Sequence, residues 1–218
     1  PMLTVKSNLK VSYEFFPPKN QKMVQILWES IKRIEPLNPQ FVSVTYGARG
    51  STRNLTHELV KKIKVKTDLE PAAHLTCVGS SIEEIEEIAT NYWNDGIKHI
   101  VALRGDLPDI SSKHREIKYA TDLIKVLKKN NDFQISVSAY PEGHPESKNL
   151  EENFDTLKKK IDLGATKAIT QFFFDNKVFL DFLENARKRN INIPIIPGIL
   201  PVSNCKKTLE FCSSMNCK

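Results

Sequence analysis

The chain has 218 residues, of which 40% are hydrophobic and 27% charged, the balance of a single globular domain large enough to bury a sizeable core. Its formal charge of +6 raises the question of nucleic acid, but the lysines are spread along helical segments (Lys61, Lys62, Lys64, Lys66; Lys125, Lys128, Lys129) with no aromatic-rich basic module beside them. No apolar run approaches the roughly 20 residues of a membrane span, and no secretory leader opens the chain, so it reads as a cytoplasmic protein that binds neither nucleic acid nor membrane.

Seven short apolar runs follow in order: VSYEFFPP from Val11, FVSVTYG from Phe41, AAHLTC from Ala72, HIVALRGD from His99, ISVSAYPE from Ile135, AITQFFFD from Ala168 and IIPGILP from Ile195. Near-continuous apolar character predicts strands buried on both faces, as a parallel sheet requires. Between them lie segments of helical period. Asn20 precedes Met23, Ile26, Leu27, Ile31 and Ile34; Ser80 with Glu83 and Ser81 with Glu84 each fit a capping box. Gly96 sits where the latter helix should stop. Asp175 is placed to cap the helix carrying Val178, Phe179, Phe182 and Leu183, and Ser203 the one carrying Leu209 and Cys212.

Alternating strands and helices build either an open doubly wound sheet or a closed barrel. No GxGxxG follows any strand, and polar residues end nearly every strand (Glu14, Thr45, His74, Arg104, Asp106, Tyr140, Gln171) rather than clustering at one switch point. The expected fold is an α/β (β/α)8 barrel in one catalytic domain, with the site on the rim formed by those strand ends. Seven strand–helix units are visible before Lys218, and an eighth would need on the order of 30 further residues. The chain is therefore expected to be a piece of a longer protein.

Glu14 lies among Tyr13, Phe15 and Phe16. A carboxyl in apolar surroundings resists ionisation and can donate a proton near neutral pH, whereas a carboxylate paired to a lysine or arginine at a strand end is structural; both readings stand. In Arg104-Gly105-Asp106, the glycine admits close approach of a ligand, the guanidinium can grip a phosphate, and the aspartate can accept from paired ring N–H groups. An Arg–Asp pair at a turn accounts for the motif equally well. Gln171 carries both a donor and an acceptor, which suits a heterocycle. The four cysteines (Cys77, Cys205, Cys212, Cys217) lack metal spacing and are expected as thiols, with Cys205 and Cys212 as core filler on one helix face and no metal site.

Taken together and in order, VSYEFFPPK, FVSVTYGA, AAHLTC, YWNDGIKHIVALRGD, SVSAYPEGHPE, AITQFFFD and IIPGILPVSN resemble methylenetetrahydrofolate reductase of the bacterial type, from about Val11 to Phe211. The resemblance implies a homo-oligomeric FAD-dependent enzyme of one-carbon metabolism and methionine synthesis. It would take electrons from NADH, rather than NADPH, and reduce 5,10-methylenetetrahydrofolate to 5-methyltetrahydrofolate. Glu14 would be the general acid, and Asp106, Gln171 and Phe211 would contact substrate. FAD would be held by Thr45, Tyr46, Ala48, His74, Arg104, Gly105, Asp106, Tyr119, Tyr140, His144, Asn153, Lys159 and Lys160. Three positions depart from the pattern: Asn153 stands where an aspartate is usual, Lys159 where an arginine is, and Lys207 where a glutamine meets substrate. Two other readings remain. An inactive remnant that binds ligand without turnover would follow from an unclosed barrel, whose two strand edges are unsatisfied. A flavin-free aldolase barrel lacks a strand-end lysine for a Schiff base in these runs.

Overall fold

In the computed structural model, residues 9–46, 53–105, 116–144, 147 and 149–214 are described, except for the side chains at 211, 213 and 214. Seven parallel strands form one sheet in sequential order: β1 Ser12–Phe15, β2 Phe41–Val44, β3 Pro71–Thr76, β4 His99–Leu103, β5 Gln134–Ala139, β6 Lys167–Thr170 and β7 Ile195–Ile196. Each is followed by a helix: α1 Gln21–Ile34, α2 Arg53–Lys66, α3 Ile82–Asn94, α4 Ala120–Asn130, α5 Leu150–Asp162, α6 Asn176–Lys188 and α7 Cys205–Ser214. All seven apolar runs thus become strands of a curled barrel-type sheet.

Alternation along the strands sorts two cores. Val42, Val44, Ala73, Leu75, Ile100, Ala102, Ile135, Val137 and Ala168 face the helices and pack against Ile31, Ile63, Ile85, Leu123 and Phe154. The opposite, inward face holds a smaller apolar cluster of Phe41, Ala72 and Val101, flanked by Leu103, Ile169 and Ile196. Because successive strand residues point to opposite faces, Glu14, Ser43, His74, His99, Ser136 and Lys167 are directed inward with that cluster.

Helix starts follow the local chemistry of the sequence. Asn20 Oδ1 accepts from Met23 N, Ser81 and Glu84 close a reciprocal capping box, and Asp175 accepts from Lys177 N. Gly96, at φ 79°, ends the turn after α3. One cap lies a residue away from its expected place: Asn204, not Ser203, accepts from Lys207 N at the start of α7. Only half of the expected cysteine pair on α7 fills the core, since Cys212 is buried and Cys205 exposed.

Two glycines set the rim by close approach. A Cβ on Gly105, at φ 89°, would lie 2.9 Å from Thr76 Cβ. One on Gly198 would lie 2.3 Å from the Thr170 carbonyl oxygen, and the Gly198 N–H donates to Thr170 Oγ1 at 2.9 Å. No helix among the described residues is long and apolar enough to cross a membrane.

Candidate active site

Register brings the first three strands' polar residues together. Glu14 pairs with Ser43 across β1 and β2, Ser43 pairs with Ala72, and His74 lies two residues further along β3. Ser43 Oγ donates to Glu14 Oε2 at 3.4 Å, and His74 Nε2 lies 3.2 Å from the same oxygen. The imidazole contact is close enough for an ion pair yet off the axis of a hydrogen bond, so the buried Nε2 retains unused hydrogen-bonding capacity. His74 is buried, whereas the Glu14 side chain is 47% exposed at the mouth.

Of the two readings left open for Glu14, the geometry favours the paired carboxylate in the free protein. Burial pushes its carboxyl up, but the His74 imidazole and the Ser43 hydroxyl outweigh burial and hold it below the ordinary glutamate range. Burial is the largest single influence, but the hydrogen bond and charge of His74 and the Ser43 hydroxyl together exceed it. His74 is also mid-strand in β3, which runs on to Thr76, so it sits below the rim rather than on it.

Thr45 follows β2, its N–H bonded to Phe15 O and its carbonyl accepting from Thr56 Oγ1, while its own buried Oγ1 has no partner among the described residues. Tyr46 OH lies 3.5 Å from the buried Tyr92 OH, and burial pushes the Tyr46 phenol up. The Arg104 carbonyl accepts from Cys77 N and Val78 N, tying the loop after β4 to the loop after β3. Cys77 itself faces the helices; its Sγ reaches the Arg104 and Tyr119 carbonyls, and burial pushes the thiol up to about 12.

On the far side, Tyr140 OH meets Ser138 Oγ at 3.2 Å, and the Tyr140 and His144 rings pack edge to face. Buried Asn153 donates from Nδ2 to the Tyr140 carbonyl at 2.9 Å. An aspartate at this position could not make that bond unless protonated. Lys160, on α5, is buried, with Nζ donating to Ser138 O at 3.3 Å and no carboxylate partner among the described residues. Desolvation lowers its pKa from 10.5 to about 8. The neighbouring Lys159 is exposed, as is Tyr119, which caps α4. Gln171 N is fixed by Ala139 O at 2.8 Å, with the side chain half-buried. Ala48 and Asp106 lie outside the described residues, as does the Phe211 side chain.

The structure adds inward-facing groups that the sequence reading passed over. Besides Ser43, these are His99, Ser136 and Lys167 deeper in the sheet. The His99 ring nitrogen Nε2 and Ser136 Oγ are 2.7 Å apart, and His99 packs edge-on to Phe41. Burial lowers the His99 pKa to about 3, so the ring is neutral at pH 7. Strict alternation of faces along each strand was the available signal.

A parallel β/α barrel carrying unpartnered buried polar atoms and a buried lysine at one end defines a barrel protein built to hold a small polar ligand. The chain belongs to the methylenetetrahydrofolate reductase family, whose model matches residues 2–218. It is 51% identical over 212 residues to 5,10-methylenetetrahydrofolate reductase of Escherichia coli K12, covering 97% of this chain and 71% of that protein. It is 35% identical over 230 residues to methylenetetrahydrofolate reductase (NADH) 1 of Arabidopsis thaliana, covering 97% of this chain and 39% of that one. Among solved structures, a protein from Clostridium thermocellum described as binding two copies of 5-methyl-5,6,7,8-tetrahydrofolic acid superposes with a TM-score of 0.66. It covers 95% of this chain and 70% of its own; at 20% identity this is a likeness of fold.

Proposed function

We propose that this chain is the catalytic barrel of a cytoplasmic, homo-oligomeric flavoenzyme that reduces 5,10-methylenetetrahydrofolate to 5-methyltetrahydrofolate with FAD and NADH. The reading is supported by membership of the family and by a relative whose name specifies NADH. The single observation that carries the site is the Glu14–Ser43–His74 cluster, which sets a partly exposed, ionisable acid on the inward face of the sheet.

The residues fit FAD. Lys160 is a buried cation lacking a counter-charge among the described residues, which a phosphate would supply. Thr45 Oγ1, buried and lacking a partner among the described residues, is a polar atom that a ring with donors and acceptors would satisfy. Gly105 allows backbone to approach a ligand where any side chain would strike Thr76. When bound, the flavin supplies hydride transfer, and the protein supplies orientation and proton control.

Lys160, with the exposed Lys159 beside it, neutralises the cofactor's phosphate end. A lysine at 159 gives charge without the bidentate fork of arginine, which weakens that grip modestly. Gln171 and Asp106 orient the heterocycles, and Phe211 stacks against them. Glu14 delivers a proton to the folate nitrogen whose release opens the five-membered ring to an iminium. The one-carbon unit then accepts hydride and becomes the methyl group. With His74 holding the free carboxyl ionised, Glu14 must gain its proton once substrate covers the mouth.

In Glu14→Gln, the ratio of folate reduction to flavin reduction by nicotinamide, measured separately by stopped-flow absorbance, should fall by about 100-fold or more. Equal loss of both half-reactions would refute the acid role. A second reading, ligand binding without turnover, takes its support from the unpaired outer edges of β1 and β7 in the seven-stranded sheet. It predicts bound flavin that nicotinamide and folate leave unchanged.

A further inference from the structure

The reaction proposed above needs a proton as well as a hydride, and the free protein holds its proposed acid as a carboxylate. We propose that Glu14 and His74 act as one proton-donating unit, in which His74 is a positioning residue that supplies the proton Glu14 passes to the folate. The inference rests on the folate-reductase reading and concerns the source of its proton.

The two side chains differ in access. Glu14 is 47% exposed, while the His74 side chain is 9% exposed with Nε2 3.2 Å from Glu14 Oε2. The more exposed member, Glu14, is the one open to a substrate. At this separation a charge on either group acts strongly on the other. Ser43 Oγ, donating to the same Glu14 oxygen, fixes the carboxylate in the plane between the strands without adding a titrating proton of its own.

The remaining ionisable groups on the flanking strands do not compete for this role. On β4, His99 lies two residues before Val101, the register partner of His74; with a pKa of about 3 it carries no proton to give at pH 7. Arg104, at the end of β4, stays protonated throughout. On β6, Lys167 lies deeper beside His99, its pKa lowered by burial and by Lys10. Tyr46 beyond β2 has a phenol that burial pushes up. That leaves the His74 imidazole as the ionisable side chain in contact with Glu14 among the described residues.

The step balances in protons alone. Starting from the Glu14 carboxylate and the His74 imidazolium, the His74 Nε2–H bond breaks as the Glu14 O–H bond forms, and that O–H bond breaks as an N–H bond forms on the folate nitrogen, which leaves Glu14 the carboxylate it began as. Water returns a proton to the imidazole after product leaves. No electrons move between the two side chains, and the hydride is the one that the nicotinamide supplies.

The test uses flavin-loaded His74→Gln, whose amide can fill the space but cannot carry the proton. The folate half-reaction and the nicotinamide half-reaction are followed across pH by stopped-flow flavin absorbance. The pair predicts that the ratio of folate to nicotinamide rates at pH 7 falls tenfold or more. It also predicts that the alkaline limb of the folate profile moves to lower pH, because Glu14 must then hold the proton unaided. A limb that moves to higher pH would mean that His74 merely depresses the Glu14 titration; equal loss of both half-reactions with an unmoved limb would mean that it only seats the flavin. Either result overturns the proposal. A proton inventory of wild-type folate reduction in mixed light and heavy water needs no variant: a bowed plot supports two protons in flight, and a linear or flat one overturns the pair. Wild-type reduced flavin that folate fails to reoxidise would instead sink the folate-reductase reading itself.

Discussion

Replacing Lys160 by methionine should make the flavin-free protein more stable while destroying its grip on FAD. The ammonium is buried on α5 with one 3.3 Å bond to Ser138 O, and desolvation brings its pKa from 10.5 to about 8. That displacement amounts to about 3 kcal/mol of disfavoured charge in the fold. Between pH 8 and 10.5 the folded protein holds fewer protons on this group than the unfolded chain does. Its penalty is therefore present in full below pH 8 and is relieved as pH rises towards 10.5. Methionine keeps a long apolar stem in the same space without the charge. Urea unfolding of flavin-free wild type and Lys160→Met at pH 7 should differ by up to about 3 kcal/mol in favour of the variant, with the gap closing at pH 10. The variant should also emerge with little bound flavin. A variant less stable than wild type at pH 7, or a gap independent of pH, would refute the claim that Lys160 is a cation waiting for a phosphate.

Acid stability tests the interior of the sheet. His99 has its pKa lowered from 6.5 to about 3, so the folded state loses stability as pH falls from 6.5 towards 3. This single group accounts for on the order of 4 kcal/mol at the acid end. His99→Gln should flatten that part of the acid-unfolding curve followed by circular dichroism, and an unchanged curve would contradict it. Gly198→Ala forces a Cβ to within 2.3 Å of the Thr170 carbonyl and should cost about 2–3 kcal/mol in urea unfolding. A cost under 0.5 kcal/mol would mean that the rim after β7 yields freely.

The strands were legible because burial on both faces leaves an apolar run that needs no tertiary information to see. The helix starts were legible for the same local reason: Asn20, Ser81 and Asp175 accept from N–H groups two or three residues on. At α7, Ser203 and Asn204 both carry an oxygen able to cap, and the sparse apolar pattern behind them does not fix the helix phase. Strand uniformity, which revealed the sheet, hid its inner lining; Ser43, His99, Ser136 and Lys167 read as interruptions until alternation assigned them a face. The electrostatics of Glu14 were illegible in principle. Its apolar neighbours in sequence suggest a raised pKa, but the group that decides the sign lies 3.2 Å away in space on β3. Lys160 shows the converse, since a basic pair on a helix gives no hint that one lysine is exposed and the next buried.

The central claim is that this barrel carries hydride from nicotinamide to a folate by way of a flavin. Mixing the yellow protein anaerobically with NADH should bleach its absorbance, and adding 5,10-methylenetetrahydrofolate should restore the colour with one equivalent of 5-methyltetrahydrofolate formed. Flavin that bleaches but stays colourless in the presence of the folate would contradict the account.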